Sequence, residues 1–262
     1  ATLKSRGVEF IGPEKGHLAC GDDDIGRMSE PEDIVDYVMK KLDSRRDLEG
    51  MKVLVTAGPS REMIDPVRFL SNRSSGKMGF SIARAARDRG AEVTLLAGCV
   101  SLEKPAGVET IGFTSTSELY EKATKLAPEY DAVIQSAAPA DFTVAEYVDH
   151  KIKKTGENMV LKLVPTPDIA KALGEKKRPG QVLVAFAAET GDVIENAKGK
   201  LLKKNADFVV ANDVTQPGAG FAVETNRVTI VDKDGATPYP LMSKSEVANL
   251  ILDRVAGLLR KD

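Results

Sequence analysis

The chain has little of what most metal and redox chemistry uses. Two cysteines, Cys20 and Cys99, stand far apart with no C-x-x-C between them, which excludes a disulfide framework and a cysteine-based zinc site. With only two histidines, His17 and His150, a histidine-rich metal centre is excluded too. Any metal is expected to be a hard cation on carboxylates and phosphates. Tryptophan is absent, and 37 basic residues nearly cancel 39 acidic ones. That balance argues against a nucleic acid or an anionic membrane as the main partner. No apolar run reaches the roughly 20 residues that span a bilayer, and no signal peptide opens the sequence, so a cytoplasmic setting is expected.

What is present is alternation. From Lys52 onward, short apolar runs (Val53–Val55, Val93–Leu96, Ala132–Ile134, Val182–Phe186, Phe208–Val210) read as buried strands. Between them lie helical patterns at Ser81–Arg89, Ser117–Leu126, Asp168–Leu173 and Val193–Leu202. Such alternation predicts right-handed βαβ units and an α/β fold: three-layer, Rossmann-like, a mainly parallel sheet with helices on both faces. A C-terminal β-hairpin, Arg227–Val231 and Pro238–Leu241, precedes a helix starting at Ser243. Residues 1–46 read differently. A Gly-rich polar stretch leads into SEPEDIVDYVMKKL, with Ser29 and Glu32 as a capping box, and one such helix cannot bury its own apolar stripe. The expected division is 1–46 and 47–262.

Val53 to Gly58 leads into a polar loop, PSREMIDPVRFLSNRSSGKMG, and then an Ala-rich helix. That order points unpaired N–H groups and a positive dipole end at an anion. The loop is neither a P-loop (Ser71 and Met78 stand where Gly and Ser or Thr are needed) nor a G-x-G-x-x-G turn.

Ligands of parallel α/β sheets lie at the carboxyl ends of the strands. Asn72 in the loop is either a helix-capping turn residue or a neutral donor for a developing oxyanion. Ser136, Ala137 and Ala138 are small enough for close approach, and Asp141 is either an N-cap or a carboxylate for Mg²⁺. Lys151, Lys153 and Lys154 form a basic cluster that suits a solvated face. Pro167, Asp168, Ile169 and Ala170 open a helix whose N–H groups suit a base edge or phosphate. Phe186 is either core or a stacking platform. Lys200 and Lys204 share one helix face, as a polyphosphate would require, although Lys198 and Lys203 make the whole helix basic.

The run DPVRFLSNRSSGKMG resembles the signature of phosphopantothenate–cysteine ligases, the C-terminal half of the bifunctional decarboxylase/ligase of coenzyme A biosynthesis. The resemblance implies a ligase that uses CTP and Mg²⁺ to join 4′-phosphopantothenate to L-cysteine through an acyl-CMP. It implies Asn72 and Lys151 as catalytic residues, Lys151 on the mobile K-I-K-K flap. It also implies Gln135 to Ala138, Asp141, Lys151, Pro167 to Ala170, Phe186, Lys200 and Lys204 as the CTP site, with Asp141 at the metal. A homodimer is implied as well. LACGDDDIGRMSEPEDI resembles the clamp that closes the decarboxylase half, with Cys20 as its proton donor and Asp24 where the clamp usually has Gly. The FMN body of that half is not in these 262 residues. Two other readings stand beside it. A short-chain dehydrogenase would use Tyr147 and Lys151 as Y-x-x-x-K with Ser136 upstream, but it lacks the Gly-rich turn and an acidic residue after Val93–Leu96. The third is a nucleotide sensor that turns nothing over.

Overall fold

The computed structural model describes residues 2–5, 8, 10–17, 23–42, 45–154, 156, 158–213 and 215–260. The chain divides into two compact units, 1–45 and 46–262. The first holds α1 (Thr2–Ser5), an antiparallel pair β1 (Glu14–His17) and β2 (Asp23–Arg27), and α2 (Pro31–Leu42). Proline stands at the first position of α2, where its missing N–H costs nothing and its φ is already helical. The helix therefore enters at Pro31, and Ser29, expected as the cap, is buried one residue further out. Val35 and Val38 of α2 are exposed. Cys20 lies outside the described residues.

The second unit runs β3 (Lys52–Ala57), β4 (Arg61–Met63), β5 (Phe69–Ser71), α3 (Lys77–Asp88), β6 (Glu92–Ala97), β7 (Glu109–Gly112) and α4 (Thr116–Leu126). It continues with β8 (Ala132–Gln135), β9 (Phe142–Val144), β10 (Leu163–Pro165), α5 (Ile169–Glu175), β11 (Val182–Glu189), α6 (Val193–Lys203) and β12 (Phe208–Asp213). It closes with β13 (Thr225–Asp232), β14 (Gly235–Ser243) and α7 (Lys244–Leu259).

Among the described residues, eight of these strands form one sheet in the order β14-β13-β12-β11-β8-β3-β6-β7. The six from β7 to β12 are parallel, and β13 and β14 add antiparallel at one edge. Taken in chain order, the parallel six are the doubly wound 3-2-1-4-5-6 arrangement, whose connections change direction between β3 and β8. The mainly parallel Rossmann-like fold is as expected, and the C-terminal hairpin is part of the sheet. Pro238 and Pro240 are tolerated in β14 because it is the edge strand.

Period-two alternation assigns the faces. Val53, Val55 and Ala57 of β3 pack with α3 and α7, whereas Leu54 packs with α4 and α5 on the other side. Ala187, Val209 and Ala211 meet α6 through Ala197 and Leu201. Both faces are covered, hence the apolar strands. Two of the long helices, α4 and α7, carry their own start signals. Ser115 accepts from Glu118 N, and Ser243 with Glu246 makes a full capping box, each cap worth about 1 kcal/mol. Gly79 allows α3 to sit close to the strand ends, since a Cβ there would lie 2.5 Å from Ala57 Cβ and 2.6 Å from Ser136 Oγ.

Candidate active site

A cavity of about 660 Å³ opens at the carboxyl ends of β3 and β8, the switch point of the sheet. Three of its walls hold residues singled out from the sequence. The loop from Asn72 to Gly79 forms one, Gln135 to Asp141 the second, and Pro167 to Ala170 with Phe186, Lys200 and Lys204 the third. Lys198 and Lys203 of the same basic helix do not line it, so the i, i+4 pair is the face that counts.

The helix end at Gly76 is built for an anion. Gly76 adopts φ 79°, no side chain caps α3, and its first turn carries no acidic residue. The N–H groups of that turn are therefore uncommitted at the positive end of the helix dipole. The α5 end is different. Asp168 accepts from Lys171 N at 3.0 Å and is ion-paired with Lys204. Burial pushes the Asp168 carboxyl up, but the bonds from Lys204 and Lys171 N, with the charges of Lys204 and Lys200, together outweigh it and leave it below the usual range. A carboxylate already occupies this end, which suits the neutral edge of a base better than a phosphate. Lys200 donates to Phe186 O at 2.5 Å, and burial lowers its pKa even though Glu189, Asp141 and Asp168 oppose the shift. Phe186 lies mid-strand in β11.

Asn72 joins two of the walls. Its Nδ2 donates to Ala138 O at 3.2 Å and Pro139 O at 2.9 Å. The β8 end is also braced from beneath, by Ser136 Oγ on Thr56 O (2.8 Å) and Thr56 Oγ1 receiving Ala137 N (3.0 Å). A ligand there meets small side chains on a fixed backbone.

Residues 48–259 match the family described as the DNA/pantothenate metabolism flavoprotein C-terminal domain. The chain belongs to this family. It is 47% identical over 265 residues to the coenzyme A biosynthesis bifunctional protein CoaBC of Bacillus subtilis (strain 168), a match covering 100% of this chain and 65% of that protein. It is 45% identical over 263 residues to a cysteine/cysteine sulfinic acid decarboxylase of an unknown prokaryotic organism, covering 98% of this chain and 73% of that one. Among solved structures, the C-terminal domain of CoaBC superposes with a TM-score of 0.71 at 41% identity, covering 83% of this chain and 100% of that domain. The chain thus spans about two thirds of the length of the CoaBC relative.

Within this family member, Lys151 is exposed and does not line the cavity. It lies in the segment 145–162, which joins the antiparallel pair β9 and β10 and starts from the bond Ala145 N to Lys162 O (2.8 Å). Its neighbour Ile152 is gripped on both backbone groups. Ile152 N donates to Asp65 Oδ2 at 3.2 Å, and Arg68 Nη2 donates to Ile152 O at 2.6 Å. The Asp65 side chain is fully buried, and bonds from Arg68, Val67 N and Arg68 N outweigh its desolvation, holding its carboxyl well below the usual range.

A fourth wall, marked by no pattern in the sequence, is formed by Gly220, Phe221, Asn226 and Lys244. Lys244 is buried and donates to Gly220 O (3.1 Å), Phe221 O (3.3 Å) and Val223 O (2.5 Å), while Ser75 Oγ and Lys77 Nζ hold Phe221 O and Ala222 O. Burial, and then Lys77, push the Lys244 pKa down. In sequence Lys244 is only the first residue after a capping serine, which carries no hint of a cavity.

Proposed function

We propose that this chain is the ligase that joins 4′-phosphopantothenate to L-cysteine at the expense of CTP, releasing CMP and pyrophosphate. In this reading the substrate carboxylate attacks the α-phosphorus of CTP, the α–β phosphoanhydride bond breaks, and pyrophosphate leaves with its electron pair. The cysteine amine then attacks the acyl carbon and CMP departs. Splitting the reaction makes a mixed anhydride of a carboxylate that an amine would otherwise leave untouched. The observation that carries the reading is the meeting of Asn72, Asp141, Lys200 and Lys204 in one cavity at the switch point. The CoaBC name of the relatives, a coenzyme A biosynthesis protein, agrees with it.

The roles follow from the chemistry of each wall. Lys200 and Lys204 face the polyphosphate, and Phe186 with the α5 end faces the base. Asn72 holds the Ala138–Pro139 backbone where the acyl phosphate forms. The uncapped N-terminus of α3, with Ser74 beside it, suits the phosphate of the acid substrate. Lys151 stands outside the cavity and would meet the triphosphate only after the flap that carries it moves, and Cys20 would serve a decarboxylase body, with its FMN, elsewhere in the parent protein. Among the described residues no group of three or more His, Cys, Asp or Glu side chains could hold a metal. One carboxylate, Asp141, beside nucleotide phosphates fits Mg²⁺, which prefers substrate oxygens to a protein cage and would neutralise charge on the leaving pyrophosphate.

A homodimer belongs to the same reading. Val67, Phe69, Phe142, Tyr147 and Leu163, on or beside the two small ribbons next to the flap, are exposed apolar side chains that a second copy would cover.

A competition among the four nucleoside triphosphates, with phosphopantothenate, cysteine and Mg²⁺ present, tests the proposal. CTP should be consumed in preference to the others. Consumption of a reduced nicotinamide instead would favour the dehydrogenase reading, for which the 3-2-1-4-5-6 strand order speaks. Binding without turnover would favour a sensor.

A further inference from the structure

Ser60, Glu62 and Thr116 are 0%, 4% and 1% exposed, and none of them lines the cavity. Their hydrogen bonds form a chain with one direction. Ala140 N donates to Ser60 Oγ at 2.9 Å, and the hydroxyls of Ser60 and Thr116 are 2.9 Å apart. Thr116 meets Glu62 Oε1 twice, from Oγ1 at 2.8 Å and from N at 2.9 Å. Each hydroxyl has a single proton to give. With the Thr116 proton on the carboxylate, the Ser60 proton goes to Thr116 Oγ1, and Ser60 Oγ accepts from Ala140. Thr116 Oγ1 is also 3.3 Å from Ala140 O, a weaker claim than 2.8 Å to a carboxylate. Ala140 O is met instead by Thr166 Oγ1 at 2.6 Å, and Asp141 O by Thr166 N at 3.0 Å.

The peptide that carries Asp141 is thus pinned at Ala140 N, Ala140 O and Asp141 O, while the Asp141 side chain stays exposed at the cavity. Burying a carboxylate is costly, and an apolar residue at 62 would avoid that cost. What the carboxylate adds is a strong acceptor at the end of a donor chain that reaches the residue next to Asp141.

We infer that Glu62 is a positioning residue: through Thr116 and Ser60 it orients the Asp141 carboxylate toward a divalent cation on a bound nucleotide. The inference rests on the reading of Asp141 given above.

The test is CTP binding to the full chain by titration calorimetry, with and without Mg²⁺, so that no turnover is needed. Glu62→Ala and Ser60→Ala should each lower the Mg²⁺-dependent gain in CTP affinity by about tenfold, in the range found when an outer partner of a metal ligand is removed. Glu62→Gln, which keeps an acceptor oxygen for Thr116, should restore most of it. Adding Glu62→Ala to Asp141→Asn should cost nothing further. An unchanged Mg²⁺ gain in Glu62→Ala and Ser60→Ala, or a full independent loss on top of Asp141→Asn, overturns the inference. Should Glu62→Ala not fold, Ser60→Ala, which removes one atom, decides it alone. An Asp141→Asn protein that keeps the whole Mg²⁺ gain removes the role of Asp141 itself, a failure visible before any Glu62 variant is measured.

Discussion

Lys204 and Asp168 are ion-paired across the cavity wall, and the same Asp168 carboxylate caps α5. Lys204 therefore brings its charge to the cavity already partly neutralised. Lys200, four residues earlier, binds a carbonyl and is the less compensated cation. Nucleotide affinity should thus depend most on Lys200. Its pKa is depressed by burial, so it is charged below that pKa and loses its charge as pH rises through it, earlier than an ordinary lysine. Triphosphate affinity should fall over that alkaline window. Lys200→Met should lose affinity by about 10- to 100-fold at neutral pH, the usual size for a hydrogen bond to a charged group, and should lack the alkaline limb. Fluorescence titration with a CTP analogue across pH checks both.

Asn72→Asp replaces a double donor by an acceptor that faces two carbonyls, Ala138 O and Pro139 O. We expect nucleotide to bind with little change while amide formation falls by about 10²-fold or more, as when a donor to a developing oxyanion is lost. Rapid-quench measurement of CMP and amide product separates the two. Normal product formation would mean that Asn72 only shapes a turn.

Lys151→Gln should abolish most turnover with circular dichroism unchanged, because the side chain is exposed and bears no packing. Arg68→Lys, which cannot grip Asp65 and Ile152 O together, should lower turnover in wild type and little in the Lys151→Gln background. Equal losses in both backgrounds would separate the arginine from the flap.

Arg89 is the buried anchor of the second unit, bonded to Asp47 at 2.8 and 2.6 Å and to Asp253 at 2.8 Å. Removing one partner of such a pair typically costs about 3–5 kcal/mol, so Arg89→Met should lower the midpoint of urea unfolding clearly. Asp47 is held below the usual carboxylate range mainly by the side-chain bond from Arg89. A depressed carboxyl stabilises the fold above its unfolded pKa and loses that contribution as pH falls through the folded one. Stability measured from pH 6 down to pH 2 should therefore decline less in Arg89→Met than in wild type.

Much of this was legible in the sequence, and the reason is local. Each parallel strand buried on both faces is a continuous apolar run, as in Val53–Val55 and Val182–Phe186, and the long helices announce themselves by spacing, α4 and α7 by a cap as well. Of the cavity-lining residues that were legible, most follow strand ends, where topology puts ligands, and Lys200 and Lys204 were marked by their i, i+4 spacing on α6. The short elements were not legible. β7 is the four half-exposed residues Glu109–Gly112 at the sheet edge, and the β4–β5 and β9–β10 ribbons sit in polar stretches with little to bury. Lys244 and Asn226 reach the cavity only because β13 turns back antiparallel on β12 and brings the start of α7 with it. No local pattern encodes that return. Glu62 was likewise unreadable, since its partners lie 54 residues away.

The most direct test is an omission assay for pyrophosphate release on the full chain. With CTP, Mg²⁺ and 4′-phosphopantothenate together, release should occur before cysteine is added, and cysteine should then yield CMP and the amide. Release that ignores phosphopantothenate, or none with all components present, would contradict a cavity that activates a carboxylate on a triphosphate.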